Sequence, residues 1–346
     1  MRIGLLTYHH SVSYGATLQT YATCKALQQL GHEVEIIDFR LEDKHSLLYR
    51  LVFCLKDYDT RHLWQRVYPK LSSYYPDQTS LQQASLDYDC LMVGSDQTWN
   101  PNISGERFLM YFLDFGSDQV RRVSYASSFG VSKWPESYLY AIPEIRRLLG
   151  RFHAISTRES AGQRILKQTF GFDATLVVDP TMLIRDYSDL SGEVPPTSML
   201  NSFIMNRTAQ QLQRVRELGK VIGKRPVMTS TIRPYSGFTY CYPPSIGKWL
   251  RYIGGADFVV VDSFHALVFC LKYQRQFVVI TPDNGKNSRL TNLLHLVGLE
   301  NRFFYDNDQT IPYEQLYCDK IDYTGINRIL EAEKEKSLDY LRRSLA

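Results

Sequence analysis

The sequence predicts an α/β protein of two domains facing one another across a cleft, and three observations carry that expectation. A chain of 346 residues is longer than one ordinary hydrophobic core supports. Short apolar, β-branched runs alternate with helix-length segments over most of its length, which is the pattern of a parallel sheet with crossover helices. A Ser-, Gly- and Pro-containing stretch from Asp186 to Pro196 interrupts that alternation and reads as a linker. Hydrophobic residues make up 44% and charged residues 22%, so the chain folds around cores and is neither disordered nor fibrous.

Ile3 to Tyr8 is the first strand, and a helical pattern from Leu18 to Leu30 follows it, stopped by Gly31. Val34 to Asp38 completes a βαβ unit. Its ligand end is the carboxyl edge of the strand, where residues His9 to Ala16, including Ser13, Tyr14 and Gly15, feed the helix start. No G-x-G-x-x-G is present, so a dinucleotide fingerprint is missing. Further strands are expected at Cys90–Val93, Val123–Ser127, Ala154–Thr157 and Thr175–Val178. Beyond the linker they recur at Phe203–Met205, Pro226–Thr229, Phe258–Val261 and Phe277–Thr281. Pro243-Pro244 opens a helix over Ser245–Ile253, and the tail Ile326–Leu345 is charged and helical in period. These elements divide the chain into an N-terminal domain over 1–188, a C-terminal domain over 197–322, and a last helix over 323–346 expected to pack back on the N-terminal domain.

Residues 40–85 break the alternation with bases and aromatics, among them Arg40, Lys44, Arg50, Arg61, Trp64, Arg66 and Lys70. The segment reads as a helical excursion with solvated charges. Its Leu47–Leu55 stretch also has the form of an amphipathic helix lying on an inner-membrane surface.

Composition excludes several classes. The formal charge of +4, from 40 basic and 36 acidic residues, is too small for nucleic acid to be the main ligand. Six cysteines at 24, 54, 90, 241, 270 and 318 form no C-x-x-C pair. The N-terminus enters a strand directly without a signal-peptide pattern, and no segment approaches the ~20 apolar residues of a bilayer span. A cytoplasmic location is expected. No metal is expected either: His9 and His10 are adjacent and lack partners at ligand spacing. The P-loop pattern is also missing.

The most informative tract is Val259 to Cys270, which reads as buried strand, sharp turn and helix. Asp262 and Ser263 are residue types that cap a following helix, and His265 then falls in its first turn, where unpaired N–H groups attract anions. The alternative is a histidine packed against the helix start.

Six tracts, in order along the chain, resemble the polysaccharide pyruvyl transferase family. They are Ser13-Tyr-Gly-Ala-Thr-Leu-Gln-Thr-Tyr-Ala22, Val93-Gly-Ser-Asp-Gln-Thr-Trp-Asn-Pro101, Tyr125-Ala-Ser-Ser-Phe-Gly130, Ser156-Thr-Arg-Glu-Ser160, Val178-Asp-Pro-Thr181 and Asp262-Ser-Phe-His265, the last followed by Asn287-Ser-Arg-Leu290. The resemblance implies two Rossmann-like domains of GT-B-like form and transfer of the enolpyruvyl group of phosphoenolpyruvate to a sugar, with no further cofactor. It implies His265 as the catalytic histidine, Arg158 as an anion-binding residue, and Lys286 or Arg289 as the second cation. Where the family usually carries glycine after the histidine, this chain has Ala266.

On that footing Asp96 is expected to orient an acceptor hydroxyl or act as a second base. Ser95, Gln97, Trp99, Tyr14 and Gly15 are expected on the acceptor side, and Ser263 on the donor side. Plainer alternatives are Arg158 in an ion pair with Glu159, Arg289 as a solvated loop residue, Gly15 serving only the turn, and Trp99-Asn-Pro101 as a turn packed on the sheet. The expected acceptor is a hexose on an undecaprenyl-diphosphate-linked repeat unit of a surface polysaccharide. Two other readings are a sugar-nucleotide glycosyltransferase of the same fold and a non-catalytic scaffold in polysaccharide assembly.

Overall fold

The computed structural model describes residues 1–11, 13–40, 70–230, 233–241, 245–285 and 287–346. The expected amphipathic helix over Leu47–Leu55, the prolines at 243 and 244, and Lys286 lie outside the described residues. Contacts group the described chain into two units, one of residues up to 40, 70–184 and 331–346, the other of residues 185–330.

The first unit is built on β1 (Arg2–Leu6), α1 (Tyr14–Gln29), β2 (Glu33–Phe39), β3 (Leu71–Tyr75), β4 (Cys90–Val93) and β5 (Arg121–Ser124). The strands form a parallel sheet in the order β3-β2-β1-β4-β5. A short parallel pair, β6 (Ser156–Thr157) with β7 (Thr175–Leu176), continues it through single bridges from Val123 to Ala154 and from Ser127 to Thr157. In such a doubly wound order the chain changes direction between β1 and β4, and the carboxyl ends of those two strands flank the crevice where ligands bind. β4 is apolar at every position because both faces of the sheet are covered.

The second unit repeats the plan. It contains β8 (Leu200–Phe203), α2 (Ala209–Val221), β9 (Val227–Met228), β10 (Thr239–Tyr240), α3 (Ile246–Gly254), β11 (Phe258–Val261), α4 (Phe264–Lys272), β12 (Gln276–Thr281), α5 (Ser288–Val297) and β13 (Phe303–Tyr305). The parallel order is β10-β9-β8-β11-β12-β13, so the direction change falls between β8 and β11. The last helix, α6 (Tyr323–Leu345), is bound at its end to the first unit. There Val178 N–H donates to Ser337 Oγ at 3.0 Å and Tyr340 donates to the Ser124 carbonyl at 2.9 Å.

Differences from the expected elements have local causes. In the described part of the excursion over 40–85, Leu71–Tyr75 form an edge strand, β3, where Ser72 and Ser73 weaken the apolar signal, and a short helix over Gln78–Gln82 follows. Helix α1 begins at Tyr14 instead of Leu18, which places Tyr14 and Gly15 in its first turn. The strand expected at Phe203–Met205 lies earlier, at Leu200–Phe203, because the N–H of Met205 turns to the Asp262 side chain and leaves the ladder. Among the described residues no helix is long and apolar enough to cross a membrane.

Trp99, expected to meet a sugar, is instead in the core. It is 0% exposed, stacks on Phe112 at 5.3 Å, and donates from Nε1 to the Tyr111 carbonyl at 2.8 Å. Trp99→Ala is therefore expected to lower stability by about 3–5 kcal/mol in urea unfolding. A change under about 1 kcal/mol would contradict a core role.

Candidate functional site

At the carboxyl end of β4 the chain turns sharply under the tip of β1. A Cβ on Gly94 would stand 2.9 Å from Thr7 Cβ, so only glycine permits the approach, and Thr7 Oγ1 then donates to the Ser95 carbonyl at 3.0 Å. Asp96 follows with φ +76°, a left-handed conformation that is rare for a side chain with Cβ. Its Oδ1 accepts from Gln97 N–H at 2.9 Å and from Arg158 Nη2 at 3.2 Å, and its side chain is 15% exposed.

Arg158 departs from the anion-binding role the sequence implied. Its guanidinium is buried, with Nη1 2.6 Å from Asp179 Oδ2, Nη2 on Asp96, and Nε 3.8 Å from Glu159 Oε2. Burial opposes its charge, yet the carboxylates of Asp179, Asp96 and Glu159 outweigh that and raise its pKa above the ordinary value. One cation faces three carboxyl groups, so this arginine organises the turn and has no surplus charge to offer a phosphate. Ser95 is turned inward as well, donating to Asp179 Oδ2 at 3.0 Å. Gln97 accepts from Asn100 Nδ2 at 2.9 Å through its side-chain oxygen. Tyr14 and Gly15 are buried in the first turn of α1. The structure thus brings Ser95, Asp96 and Arg158 together, with only Asp96 and Gln97 of the turn partly open.

A second cluster at this edge escaped the sequence reading. His9, after β1, places Nε2 3.0 Å from Asp38 Oδ1 and Nδ1 3.2 Å from the Thr7 carbonyl oxygen. Arg40 grips the same carboxylate with Nε and Nη2, both at 2.7 Å. The clamp ties the loop leading into α1 to the end of β2. Its signal was an acidic residue near the end of β2 and a histidine in the loop that follows β1. Among the described residues no group of three His, Cys, Asp or Glu side chains is placed to hold a metal ion.

In the second unit Ser263 starts α4, but its side chain makes no capping bond. Asp262 does not cap the helix either. Its Oδ1 accepts from Met205 N–H at 2.6 Å, and its Oδ2 accepts from Asn206 N–H at 3.0 Å, Asn206 Nδ2 at 2.8 Å and Gln211 Nε2 at 2.9 Å. A carboxylate expected on its own helix thus holds the loop after β8. His265 lies in the first turn of α4, 8% exposed, with its ring 5.3 Å from that of Phe264. Ala266 is fully buried behind it. Arg289 lies in the first turn of α5, partly buried, after a loop in which Asn287 accepts from Thr281 Oγ1 at 3.2 Å. Ser263, His265 and Arg289 therefore occupy the carboxyl edge of one sheet, at the ends of β11 and β12.

The Asp38 clamp gives a pH-dependent prediction. Burial alone would raise the Asp38 pKa, but hydrogen bonds from His9 and Arg40 pull it well below the usual carboxylate range. A folded-state value below the unfolded one means the stabilisation is complete above the ordinary carboxylate range and fades as pH falls through it. Asp38→Asn is expected to unfold at lower urea than the parent at pH 7, with the gap closing toward pH 2 to 3. A gap that stays constant over that range would refute the clamp.

A sequence profile of the family described as polysaccharide pyruvyl transferase matches residues 14–284. No curated protein sequence matches the chain. The UDP-GlcNAc 2-epimerase of Neisseria meningitidis bound to UDP-GlcNAc superposes with a TM-score of 0.57 at 10% identity, covering 100% of this chain and 99% of that one. The UDP-GlcNAc 2-epimerase of Methanocaldococcus jannaschii gives 0.53 at 11% identity, with 100% and 99% covered. AviGT4, a glycosyltransferase of avilamycin A biosynthesis, gives 0.55 at 11%, with 99% and 97% covered. At such identities these likenesses establish the fold, which is of the GT-B type with Rossmann-like domains. The profile spans most of the chain and includes the turns bearing Asp96 and His265, and the chain belongs to the polysaccharide pyruvyl transferase family.

Proposed function

We propose that this protein transfers the enolpyruvyl group of phosphoenolpyruvate to two hydroxyls of one hexose, forming a pyruvate ketal and releasing phosphate. The acceptor in this reading is a sugar of a lipid-linked repeat unit for a surface polysaccharide. The observation that carries it, beyond family membership, is the position of His265: a histidine in the first helical turn, at the carboxyl edge of β11, where the sheet changes direction.

The chemistry needs two proton transfers. One hydroxyl attacks C2 of the enol phosphate as the methylene carbon gains a proton and becomes methyl. The second hydroxyl attacks the same carbon as the C–O bond to phosphate breaks, and its proton leaves with the phosphate. His265 serves these transfers as general base and acid. The partly exposed Asp96 orients an acceptor hydroxyl, and Arg158 fixes the Asp96 rotamer from behind. Ser263, whose hydroxyl does not cap α4, and Arg289 supply donors to the anionic groups of phosphoenolpyruvate.

Thermal unfolding of the full chain with ligands tests the reading, because a ligand that prefers the native state raises Tm. Phosphoenolpyruvate is expected to raise Tm, and UDP-sugars to leave it unchanged. The reverse pattern would favour a sugar-nucleotide glycosyltransferase. His265→Ala is expected to keep its Tm and most of its phosphoenolpyruvate affinity while turnover falls at least about 100-fold. A fully active variant would reject the assignment.

A further inference from the structure

The turn after β8 carries a cation that the sequence reading did not single out. Phe203, the last residue of β8, pairs in register with Val261, the last residue of β11. The next residues, Ile204 and Asp262, therefore stand side by side where the second sheet changes direction. Asp262 takes the N–H groups of Met205 and Asn206, so the turn is drawn toward the end of β11.

Gln211, from α2, completes the fastening. It is fully buried, donates from Nε2 to Asp262 Oδ2 at 2.9 Å and to the Ile280 carbonyl of β12 at 2.7 Å, and accepts from Arg207 N–H at 2.7 Å. One carboxylate and one amide thus lock together the ends of β8, β11 and β12. The residue they hold in place is Arg207, whose backbone is left-handed at φ +51°. Such a conformation is unfavourable for a residue with Cβ, and glycine would adopt it freely.

The side chain of Arg207 folds back over the strand tip, with Nη1 donating to the Ile204 carbonyl at 3.2 Å. The chain is partly buried, and among the described residues no carboxylate forms an ion pair with it. It contrasts with Arg158, which is matched to carboxylates in the first unit. A guanidinium with no ion-pair partner among the described residues, kept in a strained backbone by a buried network, at the direction change of a parallel sheet, is arranged for an external oxyanion.

We propose that Arg207 binds an oxyanion of the donor substrate, phosphate or carboxylate, and that Asp262 and Gln211 are positioning residues acting through it and through the His265 turn. The proposal rests on the pyruvyl-transfer reading for the identity of the donor.

Isothermal titration of the full chain with phosphoenolpyruvate, inorganic phosphate and pyruvate tests it, using the parent, Arg207→Gly and Arg207→Lys. In Arg207→Gly the Kd for phosphoenolpyruvate is expected to rise about tenfold to hundredfold, as for loss of a charge-assisted hydrogen bond. Its Tm should hold or rise, because glycine relieves the left-handed strain. A merely structural arginine would not combine weaker binding with undiminished stability. Arg207→Lys keeps the charge without the fork and should recover part of the affinity. Weakened binding of phosphate but not pyruvate assigns Arg207 to the phosphate, and the converse assigns it to the carboxylate. If the parent binds phosphoenolpyruvate and the glycine variant binds it equally well, this inference fails while pyruvyl transfer stands. If the parent does not bind phosphoenolpyruvate, the pyruvyl-transfer reading fails and the inference falls with it.

Discussion

The carboxylate of Asp262 is the interaction on which the functional edge of the second unit depends. It sits one residue past β11 and accepts four hydrogen bonds from the β8 turn and α2. Without it, two backbone N–H groups of that turn would lose their acceptor, at about 1–3 kcal/mol each where water is excluded. The same contacts hold the turn that carries Arg207 against the start of α4, the helix that bears His265.

The first unit uses a related device with different parts. Its turn after β4 is held by the ion cluster of Arg158 with Asp96 and Asp179, and the adjacent loop by Asp38 between His9 and Arg40. Both arrangements place buried charge next to the point where the sheet changes direction. Buried ions are a poor source of net stability but strongly favour one geometry, because any displacement leaves a charge unpaired. That suits turns bearing partly exposed polar groups such as Asp96, which are kept in a backbone conformation they would otherwise leave.

The two units also differ in what they offer a ligand. In the first, Arg158 is matched by acids and its turn presents the partly exposed carboxylate of Asp96. In the second, two arginines, Arg207 and Arg289, and His265 follow the carboxyl ends of β8, β12 and β11. An epimerase and a glycosyltransferase share this framework, so what each unit presents to a ligand is set by its side chains and not by the fold.

The sequence by itself determined the α/β class, the position of β4 and β11 to the residue, and His265 as the residue to examine. It could do so because fully buried strands are continuous apolar runs and because a turn after such a strand leaves few chemical choices. The edge strand β3 was not legible, since Leu71–Tyr75 is half polar and little buried. Tertiary structure alone decided the partners of the polar residues. Local pattern put Asp262 on its own helix and left Trp99 between a sugar contact and a packed turn, while the family resemblance put Arg158 toward an anion. In the folded chain Asp262 serves a turn 57 residues earlier, Arg158 reaches an aspartate 21 residues away, and Trp99 fills the core. Hydrogen-bond and ion-pair choices over such separations depend on which strands become neighbours, and strand order is not written in the periodicity of any one segment.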